Sequence, residues 1–147
     1  MDIRKFLTPE EKNGILAAIR DAENNTSGEI RLHLENRCKG DVIDRAVFLF
    51  DKLGMTATRE SNGVLFYVAV KDKKLAILGD KGINKTVPEN FWENIREHLV
   101  SRFRENKYGE GLAEGIRMAG EQLKSHFPLR SDDKNELTDE ISYGGSS

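Results

Sequence analysis

Apolar positions along this chain change period several times, and each change marks an element. Thr8-Pro9-Glu10-Glu11 supplies a hydroxyl cap, a proline at the first helical position and a glutamate three residues after the cap. The helix predicted to start there carries Ile15, Leu16, Ile19 and Ala22 on one face and ends near residue 24, where Asn24-Asn25 and Ser27-Gly28 follow. The period then becomes two. In Glu29-Ile30-Arg31-Leu32-His33-Leu34-Glu35 the aliphatic residues share one side, which predicts a strand with one face on the core and the other either wet or lining a site. Asp41 can cap a second helix, with Ile43, Ala46, Val47, Phe50 and Leu53 as its apolar stripe and Gly54 as its stop.

Asn62-Gly63 introduces the unbroken apolar run from Val64 to Val70, which is too short for a helix and reads as a central strand covered on both faces. Lys71-Asp72-Lys73-Lys74 then predicts a hairpin into Leu75-Ala76-Ile77-Leu78, closed by Gly79-Asp80-Lys81-Gly82. After Val87-Pro88, the stripe Phe91, Trp92, Ile95, Leu99 and Phe103 predicts a long helix to about residue 105, broken at Tyr108-Gly109. Leu112, Ile116, Ala119, Leu123 and Phe127 give a last helix stopped by Pro128. A helix joins the first two strands, so they are expected to be parallel, while strands two and three pair antiparallel. The expected fold is α/β, a three-layer α/β/α sandwich on a small mixed sheet, over residues 1–128. Residues 129–147 carry Asp132, Asp133, Glu136, Asp139 and Glu140 against Arg130 and Lys134, which predicts an acidic tail that is mobile or lightly docked.

Composition narrows the classes without choosing a chemistry. The 147 residues are 37% apolar and 33% charged, enough for one self-sufficient core. With 23 basic against 25 acidic residues, the net charge of −2 argues against a general nucleic-acid binder. No apolar run approaches the roughly 18 to 20 residues of a membrane span, and no leader pattern opens the sequence. A single cysteine, Cys38, forms no internal disulfide and suits a reduced cytoplasm, which is the expected location.

Four groups of residues carry candidate chemistry. Cys38 lies ahead of the second helix beside Arg37 and Lys39, but Arg45 follows after six residues where cysteine phosphatase loops have five. Asp41 and Asp44 intervene and would repel phosphate, so the thiol reads as structural. His33, His98 and His126 show no paired spacing for zinc, and His33 reads as part of an alternating charged face with Glu29, Arg31 and Glu35. Gly109, Gly111 and Gly115 follow a helix instead of a strand, and they read as a helix-to-helix corner rather than a phosphate loop. The fourth group lies at the strand ends. If strands one and two are parallel and strand three returns, Glu29, Asn62 and Asp80 share one sheet edge while Asp72 lies at the other. Three oxygen donors of that kind suit calcium or magnesium, against ordinary capping and turn roles for the same residues.

The order Thr26-Ser27-Gly28-Glu29-Ile30, Asn62-Gly63-Val64-Leu65, a charged hairpin, Ile77-Leu78-Gly79-Asp80-Lys81-Gly82-Ile83, Phe103 and Tyr108-Gly109-Glu110-Gly111-Leu112 resembles the TPM domain family of thylakoid-lumen phosphatase-like proteins. The resemblance runs from about Phe6 to Phe127 and implies an α/β/α sandwich. Many relatives carry a leader before the domain and a membrane helix or glycine-rich tail after it; this sequence has neither and resembles a stand-alone soluble member. The resemblance also implies two functional readings. One is an accessory domain that binds a protein partner, without nucleic acid or a membrane span. The alternative is a divalent-metal-dependent, acid-phosphatase-like hydrolase, as associated with plant members, in which Glu29, Asn62 and Asp80 are the candidate metal ligands and calcium or magnesium the ion. Ser61 stands before Asn62-Gly63 where many relatives have an acidic residue.

Overall fold

A computed structural model describes residues 2–88, 90–129 and 141–144. After a single 3-10 turn at Ile3–Lys5, the described elements run α1 (Pro9–Glu23), β1 (Glu29–Glu35), α2 (Val42–Lys52), β2 (Gly63–Ala69), β3 (Lys74–Gly79), the short α3 (Lys81–Asn84), α4 (Phe91–Arg104), α5 (Tyr108–His126) and β4 (Ser142–Tyr143). The start of α1 is the reciprocal cap its sequence predicts: Thr8 Oγ1 accepts from Glu11 N–H at 3.1 Å, and Glu11 Oε1 accepts from Thr8 N–H at 2.9 Å.

The sheet order is β3-β2-β1-β4, with β2 antiparallel to β3 and parallel to β1. All seven residues of β2 are buried, because an apolar layer covers each face. On one side Ile30, Leu32, Leu34, Val64 and Phe66 meet α1, α4 and α5. On the other, Leu65, Tyr67, Ala69 and Ala76 meet α2 and Met55. This is the three-layer α/β/α sandwich on a mixed sheet. Helices α1 and α5 approach closely where Gly120 faces Ala22; a β-carbon added at Gly120 would lie 2.7 Å from that of Ala22.

Three local expectations are corrected. The polar face of β1 is not a solvated charged surface, since Glu29, His33 and Glu35 are all buried. The core face of α2 is rotated from the expected stripe: Ala46, Leu49 and Phe50 are buried, while Ile43 and Val47 are about half exposed. An eleven-residue helix with apolar side chains over most of its circumference leaves its direction to packing. The glycines Gly109, Gly111 and Gly115 lie buried inside α5; the corner is Glu105–Lys107, with Asn106 in the left-handed region at φ 61°. The segment after Pro128, expected to be mobile or lightly docked, is docked at its described end. β4 pairs parallel with β1, Ser142 opposite His33, and Gly144 N–H donates to Leu34 O at 2.8 Å. The rest of the expected mobile tail, residues 130–140 and 145–147, lies outside the described residues.

Candidate functional site

The parallel register that brings Glu29 opposite Gly63 sets the first candidate, at the amino-terminal edge of β1 and β2. Glu29 N–H donates to Asn62 O at 3.3 Å, and Asp80 N–H donates to Gly63 O at 2.9 Å, so the backbone gathers Glu29, Asn62 and Asp80 at one edge. Asp72 lies at the opposite edge. There it accepts from Cys38 N–H at 2.8 Å and from the Arg37 guanidinium at 3.0 Å, which together hold its carboxyl below the usual range.

The three edge residues differ in what already occupies them. Asp80 caps α3 through the Lys81 N–H at 2.8 Å and is partly exposed. Glu29 is buried at the start of β1. Asn62 is buried as well; its Nδ2 donates to Ser27 Oγ at 3.2 Å, and Ser27 Oγ donates to Glu60 at 2.5 Å. Its Oδ1 accepts no hydrogen bond from the described residues. A buried amide oxygen without a donor costs free energy unless a cation or water completes it. Among the described residues no group of three or more histidine, cysteine, aspartate or glutamate side chains assembles as a metal cage. Two carboxylates and an amide at this edge would leave much of an ion's shell to water. The loop above is tight: Gly82 N–H donates to Ser61 O at 2.9 Å, and a β-carbon at Gly82 would collide with the Glu60 and Ser61 carbonyls.

The second cluster sits under α2. Arg45 grips Glu35 through two hydrogen bonds, Nε at 2.9 Å and the terminal nitrogen at 2.8 Å, and the Tyr67 hydroxyl donates to the same carboxylate. Burial alone would raise the Glu35 carboxyl, but these three donated bonds bring it below its ordinary value. Burial and the bond to Glu35 push the Tyr67 phenol far above its ordinary range. His33 lies between Glu35, 3.4 Å from its Nε2, and Ser142 Oγ, 2.8 Å from its Nδ1; burial holds the imidazole below its ordinary value.

Ser142, His33 and Glu35 thus stand in the order nucleophile, base, orienting acid. The arrangement is structural all the same. His33 is 3% exposed, Glu35 is already held by Arg45, and the 440 and 260 Å³ cavities of the described surface are lined by other residues. Cys38 is buried too, its Sγ 3.9 Å from Gly40 O and 4.0 Å from Asp41 O, facing carbonyls instead of cations. Arg45 and Tyr67 are the residues sequence reasoning missed. A charged residue on the core side of α2, about one helical turn after Asp41 and opposite a strand rich in acids, was the available signal for the first.

A mixed four-stranded sheet with three long helices on one face and one on the other, its buried polar cluster closed by a carboxy-terminal edge strand, defines a compact α/β/α domain. The chain belongs to the TPM domain family, whose model matches residues 1–122. It is similar to the BA42 protein of the psychrophilic bacterium Bizionia argentinensis, at 50% identity and a TM-score of 0.88, over 95% of this chain and 96% of that one. The fold also matches the amino-terminal domain of cg2496 from Corynebacterium glutamicum, at 12% identity and a TM-score of 0.64, over 80% of this chain and 74% of that one. An amino-terminal domain from P. gingivalis matches at 21% identity and a TM-score of 0.64, over 83% and 79%. A comparison with curated proteins gives no match. No helix among the described residues is long and apolar enough to cross a membrane.

Proposed function

We propose that this TPM domain acts as an accessory protein-interaction module whose docking surface is the outer face of α2. The observation that carries the reading is the exposure of Ile43 (48%), Val47 (51%) and Phe48 (53%) on one short helix. Ile43 and Val47 share one side of the helix and Phe48 lies about 140° from Ile43, so apolar side chains occupy much of its outer arc. Arg45 and Lys52 lie over the Phe48 ring at 5.4 and 5.7 Å, so the patch offers an aromatic anchor flanked by cations. The complementary partner is a protein segment with an apolar anchor, since Arg45 is already paired with Glu35 and the exposed Asp44 and Asp51 flank the same patch. Val47→Glu with Phe48→Glu should leave the circular dichroism spectrum and melting temperature nearly unchanged. It should also abolish binding of a purified partner first captured by the unaltered protein. Binding that survives the double substitution, or concentration-dependent self-association at the same patch, refutes the reading.

The unpartnered Asn62 Oδ1 favours a second reading, a divalent-metal site formed by Glu29, Asn62 and Asp80 that serves a phosphatase-like hydrolase. Calcium or magnesium would supply charge stabilisation on a phosphoryl oxygen. Titration with either ion should move the amides near residues 29, 62 and 80 and spare those near 72. Hydrolysis of p-nitrophenyl phosphate should then require the ion and Asp80. Absence of shifts at millimolar ion removes this reading and leaves the first untouched.

A further inference from the structure

The 440 Å³ cavity lies on the opposite side of the sheet from the exposed face of α2, at the carboxyl end of β2. It opens between two corners of the chain, the β2–β3 hairpin and the turn from α4 into α5. Val70 and Leu75 line it from the hairpin; Val100, Phe103 and Tyr108 line it from the helices. The aromatic side of the wall is fixed in place. Phe103 and Tyr108 lie with ring centroids 4.9 Å apart, and Phe6 packs edge-on against Tyr108 from behind, also at 4.9 Å. The wall is therefore preformed and does not need a ligand to order it.

The mouth has a different chemistry from the floor. Lys73 and Arg104 line the cavity and are exposed, and no acidic side chain lines it among the described residues. Neighbouring charges are already committed elsewhere: Glu105 is within 3.6 Å of Arg102 and 3.9 Å of Lys107, and Arg102 also binds Glu114 at 2.9 Å. Lys74 turns its ammonium away, to the carbonyls of Gly40 at 3.1 Å and Cys38 at 3.3 Å. Two cations, one from each corner, thus remain at the mouth of an apolar hollow. Both corners hold a residue in the left-handed region, Lys73 at φ 52° and Asn106 at φ 61°. Glycine would be the less strained choice at the first, and a lysine there sets a positive charge on a tight turn.

We propose that this cavity binds a small organic anion, a carboxylate or phosphate head carried on an apolar body, with the head between Lys73 and Arg104 and the body against Val100, Phe103 and Tyr108. At 440 Å³ the cavity is in the size range of small-molecule pockets. Arginine supplies a planar fork for a carboxylate or phosphate, and lysine a mobile point charge.

The test is a two-dimensional NMR titration of the full chain with decanoate below its self-association range. Decyl phosphate, decyltrimethylammonium and inorganic phosphate serve as parallel arms. Decanoate should move the amides of residues 68–75 and 100–108. Decyltrimethylammonium should bind at least 5-fold more weakly, and inorganic phosphate, which lacks the body, should bind more weakly still. Whether decanoate or decyl phosphate binds more tightly assigns the head group. The surface substitutions Lys73→Gln and Arg104→Gln, which leave the core untouched, should together weaken decanoate at least 5-fold. No shifts at millimolar decanoate, equal binding of the cation, an unchanged affinity in the double variant, or shifts centred on residues 43–48 would each overturn the proposal.

Discussion

Replacing Arg45 by methionine tests whether the polar cluster beneath α2 is a satisfied network or a tolerated defect. Glu35 is 1% exposed, and Arg45 supplies two of the side-chain hydrogen bonds that hold it as a carboxylate, with Tyr67 supplying another and His33 lying 3.4 Å away. Removing one partner of a buried ion pair costs about 3 to 5 kcal/mol, because the remaining charge stays desolvated. The Arg45 side chain is 33% exposed, so water can enter where the guanidinium was, and the Tyr67 donor remains; about 2 to 4 kcal/mol is the expected loss at pH 7.5. The pH dependence fixes the sign. In the unaltered protein Glu35 sits below its ordinary value, so its contribution is complete above the unfolded pKa and is lost as pH falls through the folded one. Without Arg45, burial is opposed by Tyr67 and His33 alone and the carboxyl should move upward. The penalty should then shrink as the solution is acidified and Glu35 takes up a proton. Loss of the Arg45 charge also eases protonation of His33, which acts in the same direction. Urea unfolding followed by far-ultraviolet circular dichroism at pH 7.5 and pH 5 measures both quantities. Adding Glu35→Gln to Arg45→Met should recover much of the loss. A variant as stable as the parent, or a penalty that grows on acidification, refutes the network.

Other expectations follow from single contacts. Burial keeps His33 below 6.5, so the unfolded chain binds its proton more tightly; stability should fall as pH drops through 6.5 toward the folded pKa, and His33→Gln should flatten that part of a stability–pH curve. Thr26 Oγ1 donates to the Leu123 and Phe127 carbonyls and accepts from Gly28 N–H at 3.0 Å, all in a buried corner, so Thr26→Val should cost about 1 to 3 kcal/mol by urea denaturation. Cys38→Ser should change stability by roughly 1 to 2 kcal/mol and leave any phosphatase activity as it was, and the native thiol should react slowly with a thiol-specific chromophore. Tyr143, half-buried against the core and beside Arg4 and Lys12, should hold β4 in place. Tyr143→Ala should raise amide exchange at Leu34 and Gly144 more than in β2.

The elements were legible wherever local chemistry is decisive. The Thr8 cap, the fully apolar run of β2 and the antiparallel hairpin after it each follow from a handful of adjacent residues. The parallel pairing of β1 with β2 follows from the helix between them. The direction faced by α2 was not legible, since Ile43, Val47 and Phe48 are as apolar as the residues that do turn inward. Nor was the burial of the β1 polar face, which depends on Arg45 and Tyr67 arriving from two other elements to satisfy Glu35. β4 escaped notice because two residues of strand carry no period. At the candidate edge, the alignment of Glu29, Asn62 and Asp80 could be reasoned from topology, whereas the burial of Asn62 Oδ1 away from any donor of the described residues belongs to tertiary packing alone.

The pairing of β4 with β1 has a consequence for synthesis. Ser142 lies 109 residues after His33, its partner across the strands. At roughly 5 to 20 residues per second, the ribosome takes about 5 to 20 s to make the intervening chain. Throughout that interval the outer edge of β1 has no strand beside it, and His33 has no serine to meet. A strand edge left open is a template for another chain. The emerging protein is therefore most vulnerable to mispairing late in translation, when β1 to β3 and their helices are complete and the last short strand is still inside the exit tunnel.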